Sequence, residues 1–176
     1  RELTGIAKCI CFSPEDLDLV RGDPGERRSF LDQLLIQRSP RLAGVISDYE
    51  RALKQRNSLL KSRAPQSSLS PWDEHLAVFG GEVIAGRLKL IAEIEPLFQT
   101  AYKNLSEKKV ARLGYKSSVA GADTDKEENK KKILSTIIEI SAQERDRGVS
   151  LIGPHRDDLH LQLGEFPAKG YASHGE

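Results

Sequence analysis

Two long apolar stripes at helical spacing, separated by one short polar connector, constrain this chain more than any other feature. From Pro40 onward Leu42, Val45, Ile46, Tyr49, Leu53 and Leu60 follow a helical repeat, supported by Ala52 and Leu59, and the stripe ends near Arg63. The connector Ser62–Ser70 (SRAPQSSLS) is polar. A second stripe then runs through Trp72, Leu76, Phe79, Val83, Leu90, Ile94 and Leu97, with Pro96 expected to kink or interrupt its last turns. This pattern predicts two antiparallel helices of about 24 residues, each about 36 Å long at 1.5 Å per residue. Such a hairpin projects as an arm unless another element packs along it.

Helix starts share one grammar. Ser13-Pro14, Asp23-Pro24, Ser39-Pro40 and Ser70-Pro71 each place a capping side chain before a proline. The cap oxygen is expected to accept a free backbone N–H, and proline costs nothing at the first helical position. Acids three residues after Asp23 and Ser70, namely Glu26 and Asp73, suit the positive end of a helix dipole.

Strand-like stretches lie towards both ends. Ile6–Phe12 (IAKCICF) is apolar on both faces, as a buried strand would be. Val110–Val119 reads as a strand, and the first part of the polar stretch Ala120–Lys132 as a mobile turn, the stretch leading into a third helix. That helix runs through Ile133, Leu134, Ile137, Ile138 and Ala142 and ends near Gly148. The tail returns to β character in Val149-Ser150-Leu151-Ile152 and in Leu159-His160-Leu161-Gln162-Leu163, which alternates strictly. The expected class is therefore α+β, predominantly α-helical, with a helical insertion whose base belongs to an α/β domain.

Composition excludes some partners. Charged residues make up 30% of the 176 and apolar ones 38%, values that suit solvated amphipathic helices. A net charge of +1 leaves nucleic-acid affinity to local patches. Cys9 and Cys11 are too close for a disulfide framework and read as core residues. With no apolar run of transmembrane length and no signal peptide, a cytoplasmic location and no membrane partner are the default. Having no methionine and opening on Arg1-Glu2-Leu3-Thr4, the chain reads as a piece of a larger protein.

Motifs for complete catalysis are missing. No Gly-Lys dipeptide occurs, so a Walker A loop is excluded, and no apolar strand ends in the Asp-Glu pair that would hold magnesium. No Gly-x-Ser-x-Gly elbow is present. Arg51, Lys54, Arg56, Lys61 and Arg63 form a run without an intervening acid. It is either the solvated face of a helix or a phosphate-contacting stripe, with Arg51, Lys54, Arg56 and Lys61 as candidate DNA contacts. Arg27-Arg28 is expected to reach a carboxylate of a neighbouring strand or loop, and Lys130, Lys131 and Lys132 to solvate the third helix. The stretch Gly153-Pro154-His155-Arg156-Asp157-Asp158-Leu159-His160 gathers two histidines and two aspartates. On a strand these would alternate between faces, which argues against a metal site. The favoured reading is a structural hydrogen-bond cluster, with Arg156 pairing with Asp157 or Asp158.

Several stretches, taken in order, resemble the RecF family of recombination-mediator ATPases, related to ABC-type and SMC heads. They are Phe12-Ser13-Pro14-Glu15-Asp16-Leu17, Leu19-Val20-Arg21-Gly22-Asp23-Pro24, Arg27-Arg28-Ser29-Phe30-Leu31-Asp32, Gln55-Arg56-Asn57, Trp72-Asp73, Gly153–Leu159 and Lys169-Gly170-Tyr171-Ala172-Ser173-His174-Gly175-Glu176. The Ser-His-Gly-Glu form is similar to the actinobacterial branch. The resemblance implies an ABC-type head interrupted by a helical arm. It divides the chain into the end of an N-terminal ATPase lobe (1–22), an arm (23–148) and return strands that end at the signature motif (149–176). It also implies ATP and Mg²⁺ in the full-length protein but neither in this piece, which would be inactive alone. Dimerisation on ATP, binding to gapped DNA, and cooperation with RecR and RecO in loading RecA are implied as well. Ser173, Gly175 and Glu176 would meet nucleotide held by the opposing subunit, and His155, Arg156, Asp157 and Asp158 would brace the head.

Overall fold

A computed structural model describes residues 18–105 and 110–169. In chain order it contains α1 (Asp18–Arg21), α2 (Pro24–Arg38), α3 (Leu42–Lys61), α4 (Gln66–Leu105), β1 (Ala111–Lys116), α5 (Lys126–Glu139), α6 (Ser141–Arg147), β2 (Asp158–Leu163) and β3 (Phe166–Pro167). Ile6–Phe12, with both cysteines, Ser13-Pro14 and the Ser173–Glu176 stretch lie outside the described residues.

The two stripes form an antiparallel pair as expected, but unequally, with 20 residues in α3 and 40 in α4. At 1.5 Å per residue α4 is about 60 Å long. It starts at Gln66, so Ser70-Pro71 lies inside its first turns and starts no helix; the Ser70 hydroxyl donates instead to the Gln66 carbonyl at 2.9 Å. The helix also continues through Pro96. Leu97, expected on the apolar stripe, is exposed, because the buried face turns away beyond Leu90 and Ile91.

Among the three of these starts that lie in the described residues, the capping grammar holds in position at one. Asp23 is the N-cap of α2, with Pro24 as first helical residue, but its side chain makes no capping bond; the backbone carbonyl accepts from Glu26 N–H at 3.1 Å. Ser39 closes α2, and α3 begins at Leu42, three residues further on, with Arg41 as its N-cap. The side-chain cap is instead Asp125, which accepts from the amides of Glu127 and Glu128 at the start of α5. The supposed mobile turn before it is held by Asn129, fully buried, which donates to the carbonyls of Gly81 and Asp123 and accepts from the Asp123 amide.

The third helix is two helices, α5 and α6, which meet at Ile140. Gly148 closes α6 in the left-handed region at φ 65°, as glycine does at helix ends. Val149–Ile152, expected as a strand, is irregular, because its amides bond to side chains of α3 and α6 rather than to a neighbouring strand.

The sheet has the order β1-β2-β3, antiparallel, with Leu113 opposite Leu161 and Lys116 opposite Asp158. One face carries Leu113 and Leu159 into a core built with Leu31, Leu35, Val45, Val83 and Leu90 from α2, α3 and α4. A second core joins Tyr49 of α3 and Leu76 and Ile84 of α4 to Ile133 and Ile137 of α5, with Ile152 from the following loop. Something does pack along the hairpin, then: α5 and the sheet cover it, and it does not stand free. β2 pairs with β1 across the boundary expected at 148/149.

Candidate functional site

The loop from Ser150 to Asp157, which delivers the chain into β2, is where the fold concentrates its buried polar chemistry. It is a turn rather than a strand: Arg156 N–H bonds to the Gly153 carbonyl at 2.8 Å, and Gly153 sits at φ 117°. A Cβ there would lie 2.5 Å from the Tyr49 hydroxyl, so glycine is required on both counts.

Each polar residue of the loop is claimed by a different element. The Tyr49 hydroxyl of α3 meets His155 Nδ1 at 2.6 Å, while His155 Nε2 lies 3.2 Å from the Ser150 carbonyl. A carbonyl can only accept, so Nε2 carries the proton and Nδ1 accepts from the tyrosine. Burial lowers the histidine pKa from 6.5 to about 4. It also pushes the Tyr49 phenol up, which keeps it a donor. Asp157, wholly buried, accepts from Tyr115 and Ser117 hydroxyls at 2.6 and 3.1 Å and from the Ser118 amide and hydroxyl at 2.6 and 2.7 Å. Asp158 receives a two-bond fork from Arg27 at 2.7 and 3.0 Å, and Arg28 donates to the Asp157 carbonyl at 3.0 Å. The Arg27-Arg28 expectation holds in this form. Arg156, expected to pair with Asp157 or Asp158, donates to the Ser150 carbonyl instead, because both carboxylates are already occupied.

Two buried arginines anchor this loop to the helices. Arg87 of α4 forks onto Asp32 of α2 at 2.9 Å for each bond and donates to the Pro154 carbonyl at 2.8 Å. Arg56 of α3, only 2% exposed, binds Asp73 of α4 at 2.6 Å, Glu144 of α6 at 2.6 Å and the Ser150 hydroxyl at 2.8 Å. Glu144 in turn accepts from the Leu151 amide, and Asn57 from the Ser150 amide.

This arrangement corrects the basic-run reading at Arg56, which faces acids inside the protein and has no access to a phosphate. Arg51, Lys54, Lys61 and Arg63 remain exposed, with Arg51 3.4 Å from Asp48. His155, Arg156, Asp157 and Asp158 sit together as one hydrogen-bonded unit; His160 is exposed on β2 and apart from it. No group of three or more metal-ligating side chains gathers among the described residues. Tyr49, Asn57, Arg87, Asp32, Glu144 and Ser150 were missed as partners. Arg56 and Arg87 did carry a signal, since each charge falls at a core position of its apolar stripe, between Ala52 and Leu60 and between Val83 and Leu90.

Comparisons identify the class and then the family. Two solved structures of the recombination mediator protein RecF in the RecFOR pathway superpose on this chain at 22% identity. The ATP form has a TM-score of 0.90 over 99% of the chain, and the ATPrS form 0.87 over 93%. They cover 48% and 45% of those proteins, respectively. The fold is accordingly the one that these RecF structures share over this part of their chains, long helices with an adjoining small sheet. No protein-family model matches. The whole chain is nevertheless 49% identical to the DNA replication and repair protein RecF of Streptomyces avermitilis, 45% to that of Kineococcus radiotolerans and 43% to that of Beutenbergia cavernae. The chain belongs to the RecF family, in its actinobacterial form. It spans about half the length of these relatives, 50 to 52%.

Proposed function

We propose that this chain is the arm and arm-to-head junction of a RecF-type DNA-repair ATPase, with the task of positioning two heads for ATP-dependent dimerisation. The observation that carries the proposal is the junction loop. Its polar side chains and amides are held by α2, α3, α4, α6 and β1, so the direction in which the chain enters β2 is set by the helices and β1. Ser173, Gly175 and Glu176 supply part of a signature motif that would meet the γ-phosphate of ATP bound, with Mg²⁺, by the opposing subunit. A helix start following the motif suits such an anion. ATP is named with one solved relative and ATPrS with the other, which supports nucleotide binding by the whole protein. Gapped DNA, RecR, RecO and the loading of RecA are the partners and outcome this reading carries, in a cytoplasmic setting; no described helix is long and apolar enough to cross a membrane.

Calorimetry and sedimentation test this together. The 176-residue chain should show no micromolar affinity for ATP, whereas the full-length protein containing it should dimerise on ATP and lose that response with Ser173→Arg. Micromolar ATP binding by the chain alone, or unchanged dimerisation of the variant, would overturn the proposal.

The exposure of Arg51, Lys54 and Lys61 favours one second reading, an autonomous DNA-binding helical module. DNA affinity of the chain should then fall with a log–log salt slope of about −0.9 per phosphate contacted. Replacing all three by glutamine should flatten that slope; an unchanged slope removes this reading.

A further inference from the structure

Beside the junction loop lies an open cleft of about 690 Å³, bounded by Asp23, Gly25 and Arg28 at the start of α2, Lys116 at the end of β1, and Arg156 in the turn. Its charge is lopsided. Asp158 also borders it but is neutralised by Arg27. Arg28 and Arg156 donate only to main-chain carbonyls, and Lys116, exposed, has no salt-bridge partner among the described residues. That leaves Arg28, Lys116 and Arg156 against Asp23 as the one unpaired acid.

The backbone reinforces the same polarity. Asp23 leaves the first turn of the 15-residue α2 without a side-chain cap. A position one carbon out from Gly25 would lie 3.9 Å from Arg28 Nη2, so the guanidinium sits beside that uncapped turn. Guanidinium, ammonium and free helix-start amides are the donors that suit a tetrahedral oxyanion. His155 adds shape but no charge, since both its ring nitrogens are already engaged.

We propose that this cleft binds a phosphate group, with Lys116 and Arg156 as its charged side-chain ligands and the Gly25 amide at the start of α2 as its backbone donor, since Pro24 has no N–H and that of Glu26 is taken by the Asp23 carbonyl. This proposal does not rest on the function proposed above. Most of the cleft is framed by the locked loop and by α2, so it is preorganised, while Lys116 is free to close over the ligand.

Amide NMR of the 176-residue chain, titrated with inorganic phosphate at constant ionic strength held with chloride, tests the proposal. Gly25, Ser117 and Ser118 amides should shift saturably. Lys116→Gln should weaken binding about tenfold, the scale of one lost charge-assisted contact. Its melting temperature in phosphate-free buffer should be unchanged, because Lys116 has no described partner to lose. Lys89→Gln, an exposed lysine on α4 outside the cleft, should bind like the parent chain. A parallel titration with a nucleoside 5′-monophosphate separates the two sources of the group: tighter binding marks a phosphate ester as ligand, equal binding the free ion. Shifts that do not saturate, that chloride reproduces, or that persist undiminished in Lys116→Gln overturn the site.

Discussion

At the scale of the residue, the most consequential side chain is Arg56. It is enclosed by Asp73, Glu144 and Ser150, and removing it would leave two carboxylates buried without their cation. Breaking a buried pair from one side costs about 3–5 kcal/mol, far more than the pair itself contributes. Chemical denaturation of Arg56→Gln should therefore show a loss of that size, or no folded state, while Lys54→Gln on the same helix should stay within about 0.5 kcal/mol. A mild effect at Arg56 would mean that the network is not closed as described. His155 offers a separate readout. Its folded pKa of about 4 lies below the ordinary 6.5, so between these values the unfolded chain takes up the proton that the fold refuses. Stability must then fall as pH drops through that window, by about 3 kcal/mol at 1.36 kcal/mol per unit. His155→Asn, which can still accept from Tyr49, should flatten the pH dependence of urea midpoints between pH 6.5 and 4; an unchanged slope would move the effect to other groups.

At the scale of the element, the stripes of α3 and α4 were legible because burial along a helix repeats with its own period, and five of the eight α3 positions behind that reading, Leu42, Val45, Tyr49, Ala52 and Leu60, are buried. What the repeat could not reveal was where a helix begins. Ser70-Pro71 looks like a start, yet the chain enters α4 at Gln66, where Arg145 of α6 holds the connector through the Ala64 carbonyl and the Gln66 side chain. A long-range contact of that kind leaves no mark in local sequence. The Gly80-Gly81 pair was likewise silent, although it sets the spacing of α4 and α5. A Cβ on Gly81 would stand 2.7 Å from the Lys126 carbonyl oxygen, and backbone cannot swing aside. Gly44, on α3, has nothing within 4 Å of its Cβ position. Alanine at the two sites should act in opposite directions. Gly44→Ala should stabilise by about 0.5–1 kcal/mol through helix propensity. Gly81→Ala should destabilise by about 1–2 kcal/mol, overpacking outweighing the same propensity gain. Equal signs in thermal melts would show that α5 is not seated as closely as Gly81 requires.

At the scale of the molecule, the family was readable from ordered motifs, whereas the reason for those motifs was not. Gly153–Leu159 brings histidine and aspartate together as a catalytic cluster would, and its favoured reading in sequence is a structural hydrogen-bond cluster whose partners the sequence does not name. In three dimensions its polar atoms are consumed by Tyr49, Tyr115, Ser118, Arg27 and Arg87, none of which is nearby along the chain. The same contacts bear on whether 23–148 and 149–176 are separate units. Leu113 and Leu159 share one core with Leu31, Val83 and Leu90, and β1 pairs with β2 across the expected boundary. A division at 148/149 would cut through both the sheet and that core. We therefore expect a single cooperative transition in urea, with far-UV dichroism and Trp72 fluorescence coinciding. Native-state hydrogen exchange should assign Leu159 and Leu161 amides in β2 the same opening free energy as Ile84 in α4, within a factor of ten in protection. Earlier opening of β2, with α3 and α4 still protected, would establish the return strands as an independent unit and restore the boundary that the family resemblance implied.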